Sequence, residues 1–198
     1  MGRPREFDPD LALGQALEVF WHKGYEGASL SDLTEAMGIT RPSLYAAFGN
    51  KEELFRKALD RYEGRNLHFV ATALQQRPAR AMVAALLYGF ADAQSGADTP
   101  AGCLGINGAL ACSDASEPVR QELARRRGAA EAMLGERLRQ APPEELPPGS
   151  TPEDLACFVM TVVQGMAVQA KSGAGREALH RVVATTLQAW PAVAVPAE

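Results

Sequence analysis

ASLSDLTEAMGITRPSLYAAFGNKEEL, residues 28–54, decides the fold of this 198-residue chain. Ser29 is a residue type that caps helices, and Asp32 three positions later completes a capping box. Gly38 follows the apolar residues of this helix and suits a left-handed C-cap, because glycine has no Cβ. Thr40 then caps a second helix, which has a proline in its first turn. The stretch therefore predicts two short helices joined by a tight turn.

The second of these helices has one apolar side and one small polar side. Leu44 and Phe48 are four residues apart and share the inner face. Arg41 and Ser43 then point outward, and Tyr45 lies at the margin. A slim helix of this kind fits the major groove of DNA, which is about 12 Å wide. The pattern predicts a helix-turn-helix, although spacing alone also allows a plain αα-hairpin in some core.

The segment from Gly24 to Leu54 resembles the signature of the tetracycline-repressor (TetR/AcrR) family of bacterial one-component regulators. The resemblance implies an all-α protein with an N-terminal three-helix helix-turn-helix domain and a C-terminal helical ligand-binding and dimerisation domain. It further implies a homodimer that binds a palindromic operator, usually as a repressor, and responds to a small-molecule effector. The matching positions are Gly24-Tyr25, Ser29, Leu33, Gly38-Ile39-Thr40, Ser43-Leu44-Tyr45, Phe48, Lys51-Glu52 and Leu54.

Three residues of the predicted DNA-binding set have distinct roles. Arg41 is the candidate for base reading, because a guanidinium binds guanine O6 and N7 bidentately. The resemblance implies that the hydroxyl of Tyr45 contacts a phosphate and that Lys51 clamps the DNA backbone. The full set is Arg3, Arg5, Ser29, Thr40, Arg41, Ser43, Tyr45 and Lys51.

The other members of this set are polar or basic residues with more general roles. Thr40 and Ser43 suit hydrogen bonds to phosphates or base edges, and Ser29 suits a phosphate contact. Arg3 and Arg5 form a short basic arm that reaches a minor groove or follows phosphates. A disordered terminus is the alternative for this arm.

The boundary between the two predicted domains lies after residue 50. Residues 1–50 form the DNA-binding domain, and residues 51–198 form the helical effector-binding and dimerisation domain. In the second domain we predict a long helix from Asn50 to about residue 77, and further helices at about 80–94, 116–139, 152–170 and 176–190. The last two are apolar enough to form a four-helix dimer interface by two-fold symmetry, or else are buried within one monomer.

An effector pocket is expected among the helices between Arg61 and Met133. Its aromatic and polar candidates suit an apolar ligand with one or two polar groups, although each also suits an ordinary core position. They are Phe69, Tyr88, Phe90, Cys103 and Asn107. Cys103 supports an alternative, a thiol-sensing regulator, if a helix N-terminus lowers the pKa of its thiol.

The net charge of −4 is unusual for a DNA-binding protein. Phosphate contacts nevertheless depend on local charges within a Debye length of about 8 Å. Arg3, Arg5, Arg41 and Lys51 are predicted to gather on one side for this purpose. The alternative is an ordinary solvated surface on a helical interaction protein that does not bind DNA.

Composition argues against several other classes of protein. The histidines His22, His68 and His180 are scattered without a nucleophile–base–orienter spacing, so we predict no enzyme. The three cysteines lack CxxC spacing, and neither a metal site nor a cofactor is predicted. No apolar run approaches the roughly 18 residues of a membrane span, and the N-terminus does not resemble a signal peptide. We therefore expect a cytoplasmic protein without a membrane partner.

Overall fold

The computed structural model describes residues 7–96, 99–109 and 116–191. Within these residues the secondary structure is helical and contains no strand, which confirms the all-α prediction. The helices are α1 (Pro9–Gly27), α2 (Leu30–Met37), α3 (Arg41–Phe48), α4 (Lys51–Asn66), α5 (Phe69–Ala73), α6 (Ala79–Gln94), α7 (Leu104–Ala109), α8 (Glu117–Arg139), α9 (Pro152–Lys171) and α10 (Arg176–Thr186).

The chain divides into two compact units. Unit 1 comprises Met1–Asn66 and Leu104–Leu123, and unit 2 comprises Leu67–Cys103 and Ala124–Glu198. The boundary between them at residues 123 and 124 falls inside α8. The two units are defined by packing alone. The division into a DNA-binding domain and an effector-binding domain after residue 50 stays a prediction.

Local capping chemistry sets the helix boundaries of unit 1. The Asp8 carboxylate accepts hydrogen bonds from two backbone N–H groups at the start of α1. Ser29 and Asp32 form the predicted capping box of α2, and Gly38 ends that helix with φ 63°. The Thr40 side chain accepts the N–H of the third residue of α3. These caps fill backbone hydrogen-bonding positions that a helix end otherwise leaves unpaired.

An aromatic cluster forms the core of unit 1. Phe20 and Phe55 pack edge to face with centroids 5.0 Å apart, and Trp21 and Tyr62 do so at 4.8 Å. All four side chains are buried. A Cβ on Gly108 would lie 3.0 Å from the Phe55 ring, so α7 approaches the cluster at a glycine. Glycine permits this close approach because it has no Cβ.

Unit 2 packs α5, α6, α9, α10 and the later part of α8 around an aliphatic core. The Gln94 side chain is 1% exposed and donates from Nε2 to the backbone oxygen of Val163, 3.2 Å away. Asp92 accepts hydrogen bonds from Arg176 and His180 at 2.6 and 2.7 Å. Burial raises the pKa of Asp92, but these two donors outweigh it and hold that pKa below its usual value. Polar contacts therefore join α6 to both α9 and α10.

The predicted long helix after Asn50 is wrong in its length. Helix α4 ends at Asn66, and the short α5 begins at Phe69. Gly64 and Asn66 weaken helix propensity at this point. Phe69 then packs edge to face on Phe90, with centroids 5.2 Å apart. The break between α4 and α5 therefore comes just before the residue that makes this aromatic contact.

Candidate DNA-binding surface and effector unit

Helix α3 presents a polar surface to solvent while its apolar side is anchored in unit 1. Leu44 is fully buried and Phe48 is 5% exposed, as the spacing predicts. Arg41 is exposed, and Tyr45 is 49% exposed although it is aromatic. Ser43 is half-buried. The helix therefore offers Arg41 and Tyr45 to a binding partner at no cost to the core.

The Ser29 hydroxyl is fully engaged in the capping box. Its oxygen accepts from the backbone N–H of Asp32 at 3.0 Å, and its hydrogen is donated to the Asp32 carboxylate at 2.8 Å. A phosphate contact from this hydroxyl requires that the second bond be given up. The place of Ser29 in the predicted DNA-binding set stays a prediction.

Asp32 is also paired with Lys23, whose ammonium lies 2.6 Å from the carboxylate. The hydrogen bond from Lys23, followed by those from Ser29, lowers the pKa of Asp32 from 3.8 to about 2. The ionised carboxylate is thus favoured in the folded protein. It anchors the N-terminus of α2, where negative charge also suits the helix dipole.

We expect Asp32→Asn to lower the thermal midpoint near neutral pH and to matter less in acid. Because the folded pKa lies below the unfolded one, the stabilisation is complete above about pH 4 and is lost as pH falls towards 2. Reversible unfolding of both proteins from pH 7 to pH 2.5 measures this difference. A constant gap between the two midpoints across that range would contradict the ionic origin of the effect.

Hydrogen bonds already organise the polar residues at the start of α3. The Arg41 guanidinium donates from Nη2 to Ser31 Oγ of α2 at 2.8 Å. The hydroxyls of Thr40 and Ser43 lie 2.9 Å apart and share one hydrogen bond. One hydroxyl hydrogen of this pair therefore remains for another acceptor. Arg3 and Arg5 lie outside the described residues.

Lys51 is held at the start of α4 by an aromatic ring. Its ammonium lies 4.5 Å from the centroid of Tyr25, within the range of a cation–π contact. Burial lowers the pKa of Lys51, and the nearby Glu26 carboxylate opposes that shift. The lysine is therefore partly desolvated and restricted in position before any partner binds.

Two further residues support this surface and were missed by sequence reasoning. Ser31 contacts Arg41 across the turn. Lys57 of α4 donates from its ammonium to the backbone oxygen of Phe48 at 3.1 Å, at the C-terminal end of α3. A cation at that end satisfies an unpaired carbonyl and favours the helix dipole. Both residues lie outside the motif positions, so only the folded geometry identifies them.

The predicted effector residues occupy separate places. Phe69 and Phe90 contact each other, whereas Tyr88 packs edge to face on His180, with centroids 4.9 Å apart. Cys103 is half-buried immediately before α7. Asn107, within α7, belongs to unit 1, whereas the other predicted effector residues belong to unit 2.

A small apolar cavity of about 30 Å³ lies within unit 2. Phe90 is the one predicted effector residue that lines it. Met133, which is 48% exposed, and Met160 contribute flexible side chains to its wall. The remaining lining residues are Val70, Leu74, Leu86, Ala130, Leu134, Val159 and Val163. The assignment of effector-binding residues stays a prediction.

Comparison with known proteins identifies the family. Residues 12–58 match the model of bacterial regulatory proteins of the tetR family, and residues 79–186 match the tetracyclin repressor-like C-terminal domain. The chain belongs to the tetR family. It is a DNA-binding regulator of transcription, and the recognition made from the helix-turn-helix signature is confirmed.

Two curated relatives from Escherichia coli K12 match nearly the whole chain. The HTH-type transcriptional repressor ComR is 39% identical over 193 residues, covering 96% of this chain and 92% of ComR. The HTH-type transcriptional repressor BdcR is 29% identical and covers 97% of this chain and 92% of BdcR. The chain is thus similar to repressors along both of its matched regions.

A solved structure with DNA is also similar to this chain. A cysteine mutant of the TetR family transcriptional regulator CifR, complexed with 26-bp double-strand operator DNA, has 45% sequence identity and a TM-score of 0.89. The match covers 96% of this chain and 100% of that one.

Along the described residues, no helix combines the length and apolar character needed to cross a bilayer.

Proposed function

We propose that this protein is a ligand-responsive repressor that binds a palindromic operator as a homodimer. The observation that carries the proposal is the combination of family membership with an anchored α3 that exposes Arg41 and Tyr45. One recognition helix makes a limited set of contacts, whereas two helices related by two-fold symmetry meet successive turns of the same DNA face. The operator is therefore expected to contain inverted half-sites.

The dimer surface proposed here lies on α9 and α10 of unit 2. Three large apolar side chains are unusually exposed on these helices: Phe158 at 45%, and Val168 and Val182 at 41% each. Exposed apolar residues on neighbouring helices are typical of a covered interface. Pairing with a second copy forms the four-helix arrangement predicted from sequence.

The effector is proposed to bind residues 51–198 and to be largely apolar. The cavity in unit 2 has an aliphatic lining that suits an apolar ligand, and its volume of about 30 Å³ means that the lining side chains must move to admit one. We assign the protein no catalytic step, metal or cofactor, and place it in the cytoplasm with its DNA. The comparisons favour neither a thiol sensor based on Cys103 nor a helical interaction protein without DNA binding.

The test uses the full chain and a library of random-sequence duplexes. Repeated selection on immobilised protein is expected to yield one consensus with inverted repeats. Light scattering of the resulting complex is expected to give an even number of protomers per duplex. Enrichment of no sequence, or a consensus bound by a single protomer, would overturn the proposal.

A further inference from the structure

Ser31 belongs to the candidate DNA-binding surface and contacts Arg41, although it is not one of the positions that match the family signature. It lies in the first turn of α2, while Arg41 begins α3. Both side chains are exposed, yet the Arg41 Nη2 and Ser31 Oγ atoms are 2.8 Å apart. This hydrogen bond joins the two helices of the helix-turn-helix on their solvent side.

We propose that Ser31 is a positioning residue for base recognition, which holds the Arg41 guanidinium in the orientation that reads the operator. The inference rests on the proposed function and on base reading by Arg41. It concerns specificity, because the hydroxyl carries no charge and adds nothing to the attraction between protein and phosphates.

The stereochemistry of the guanidinium allows this role. An arginine side chain has five N–H donors in a planar fork, and Ser31 occupies one of them. A pair of adjacent donors therefore remains for guanine O6 and N7. Because a free arginine samples many rotamers, a partner that fixes its plane reduces the ordering required when DNA binds.

The neighbouring Ser29 is not available to position an arginine, because its hydroxyl is used within α2. Ser29 gives its hydroxyl hydrogen to Asp32 and accepts from the Asp32 backbone, so its hydroxyl maintains the helix cap. Ser31 accepts from Arg41, and its own hydrogen has no acceptor in the described part of the chain. The two serines therefore differ in role: Ser29 caps α2, and Ser31 binds the Arg41 side chain.

The experiment is a double-mutant cycle on base discrimination. Its probes are the consensus duplex selected by the wild-type protein and a series of duplexes with one base pair replaced. Arg41→Ala identifies the base pair that Arg41 reads. At that position, Ser31→Ala is expected to reduce the ratio of dissociation constants about fivefold, a part of what one bidentate contact supplies.

Three controls separate positioning from other roles. Ser31→Thr keeps a hydroxyl and is expected to restore discrimination. In the Arg41→Ala background, Ser31→Ala is expected to have no further effect, since the arginine it positions is absent. The slope of affinity against salt concentration is expected to be unchanged, because no phosphate contact is lost.

Several results would overturn the inference. One is full discrimination by Ser31→Ala, and another is equal weakening on every duplex. A third is the same loss with and without Arg41, which would make Ser31 an independent DNA contact. If the wild-type protein selects no sequence, the proposed function itself fails. If it selects a consensus that Arg41→Ala discriminates normally, the inference fails while the proposed function stands.

Discussion

Replacing Gly24 with alanine is expected to lower the free energy of unfolding by about 2–3 kcal/mol, the upper range for a residue in a sparsely allowed backbone region. Gly24 interrupts α1 with φ 73° and ψ 175°, a conformation that is essentially restricted to glycine. A Cβ would meet ordinary contact distances, with the nearest atom 3.5 Å away. The cost therefore comes from the backbone and not from a steric clash with neighbours.

The same substitution is expected to weaken DNA binding beyond its effect on folding. Relaxing the kink displaces Tyr25, the next residue, which lies beneath the ammonium of Lys51. Tyr25 also packs on Phe55, with centroids 5.1 Å apart. A local change at Gly24 is thus transmitted to the core of unit 1 and to a predicted DNA contact.

Gly27→Ala is the matched control, three residues later in the same helix. Gly27 has no positive φ, and its added Cβ would lie 3.6 Å from Lys23 Cβ. Here we expect no loss, or a gain of up to about 1 kcal/mol from the lower backbone entropy of alanine. Urea unfolding followed by circular dichroism, at one protein concentration because dimerisation adds stability, measures both variants. Equal free energies of unfolding for the two variants would show that the backbone conformation of Gly24 does not contribute to stability.

The local structure of unit 1 is predictable because helix caps depend on neighbouring residues. Ser29, Thr40 and Asn50 each occur at a spacing that permits only a few backbone arrangements. The structure confirms the caps predicted at Ser29 and Thr40, and it shows a third at Asn50, with bonds from the Asn50 N–H to Glu53 and from the Glu53 N–H to Asn50. The apolar residues Leu44 and Phe48 then determine which face of α3 remains outside.

What sequence could not predict depends on long-range geometry. The apolar period continues past Asn66, so it does not reveal that α4 ends there or that Phe69, at the start of α5, packs on Phe90. Nor does the apolar period reveal which hydrogen bond each polar side chain makes. Ser29 and Ser31 are both exposed serines near a helix start, and only their hydrogen bonds distinguish a cap from an arginine partner.

The apolar cavity in unit 2 illustrates the same limit. Aromatic and polar residues are the usual candidates for a ligand site, but the cavity in unit 2 is lined mainly by aliphatic side chains of several helices. Which residues of each helix face the cavity depends on how these helices pack together. Among the predicted effector residues, Phe90 lines this cavity, and its contact with an effector stays a prediction.

Lys51→Ala is expected to reduce affinity for the selected consensus duplex about 100-fold, because each charge-assisted contact contributes roughly tenfold and a homodimer loses two of them. The effect is large because Lys51 is already partly desolvated and held over Tyr25. Binding a phosphate therefore requires less additional dehydration and ordering than it would for a free surface lysine.

The salt dependence of binding separates a phosphate contact from a structural role. Each neutralised phosphate contributes about 0.9 to the slope of log affinity against log salt, so the dimeric variant is expected to lose about 2. Lys171→Ala removes the same charge from the last turn of α9 and is the matched control, with slope and affinity expected to stay near the wild type provided that light scattering shows it to remain a dimer. Lys51→Arg, which keeps a cation for Tyr25 and for DNA, is expected to retain most of the slope. Weaker binding by Lys51→Ala with an unchanged slope would mean that the lysine supports the fold of unit 1 and does not contact phosphate.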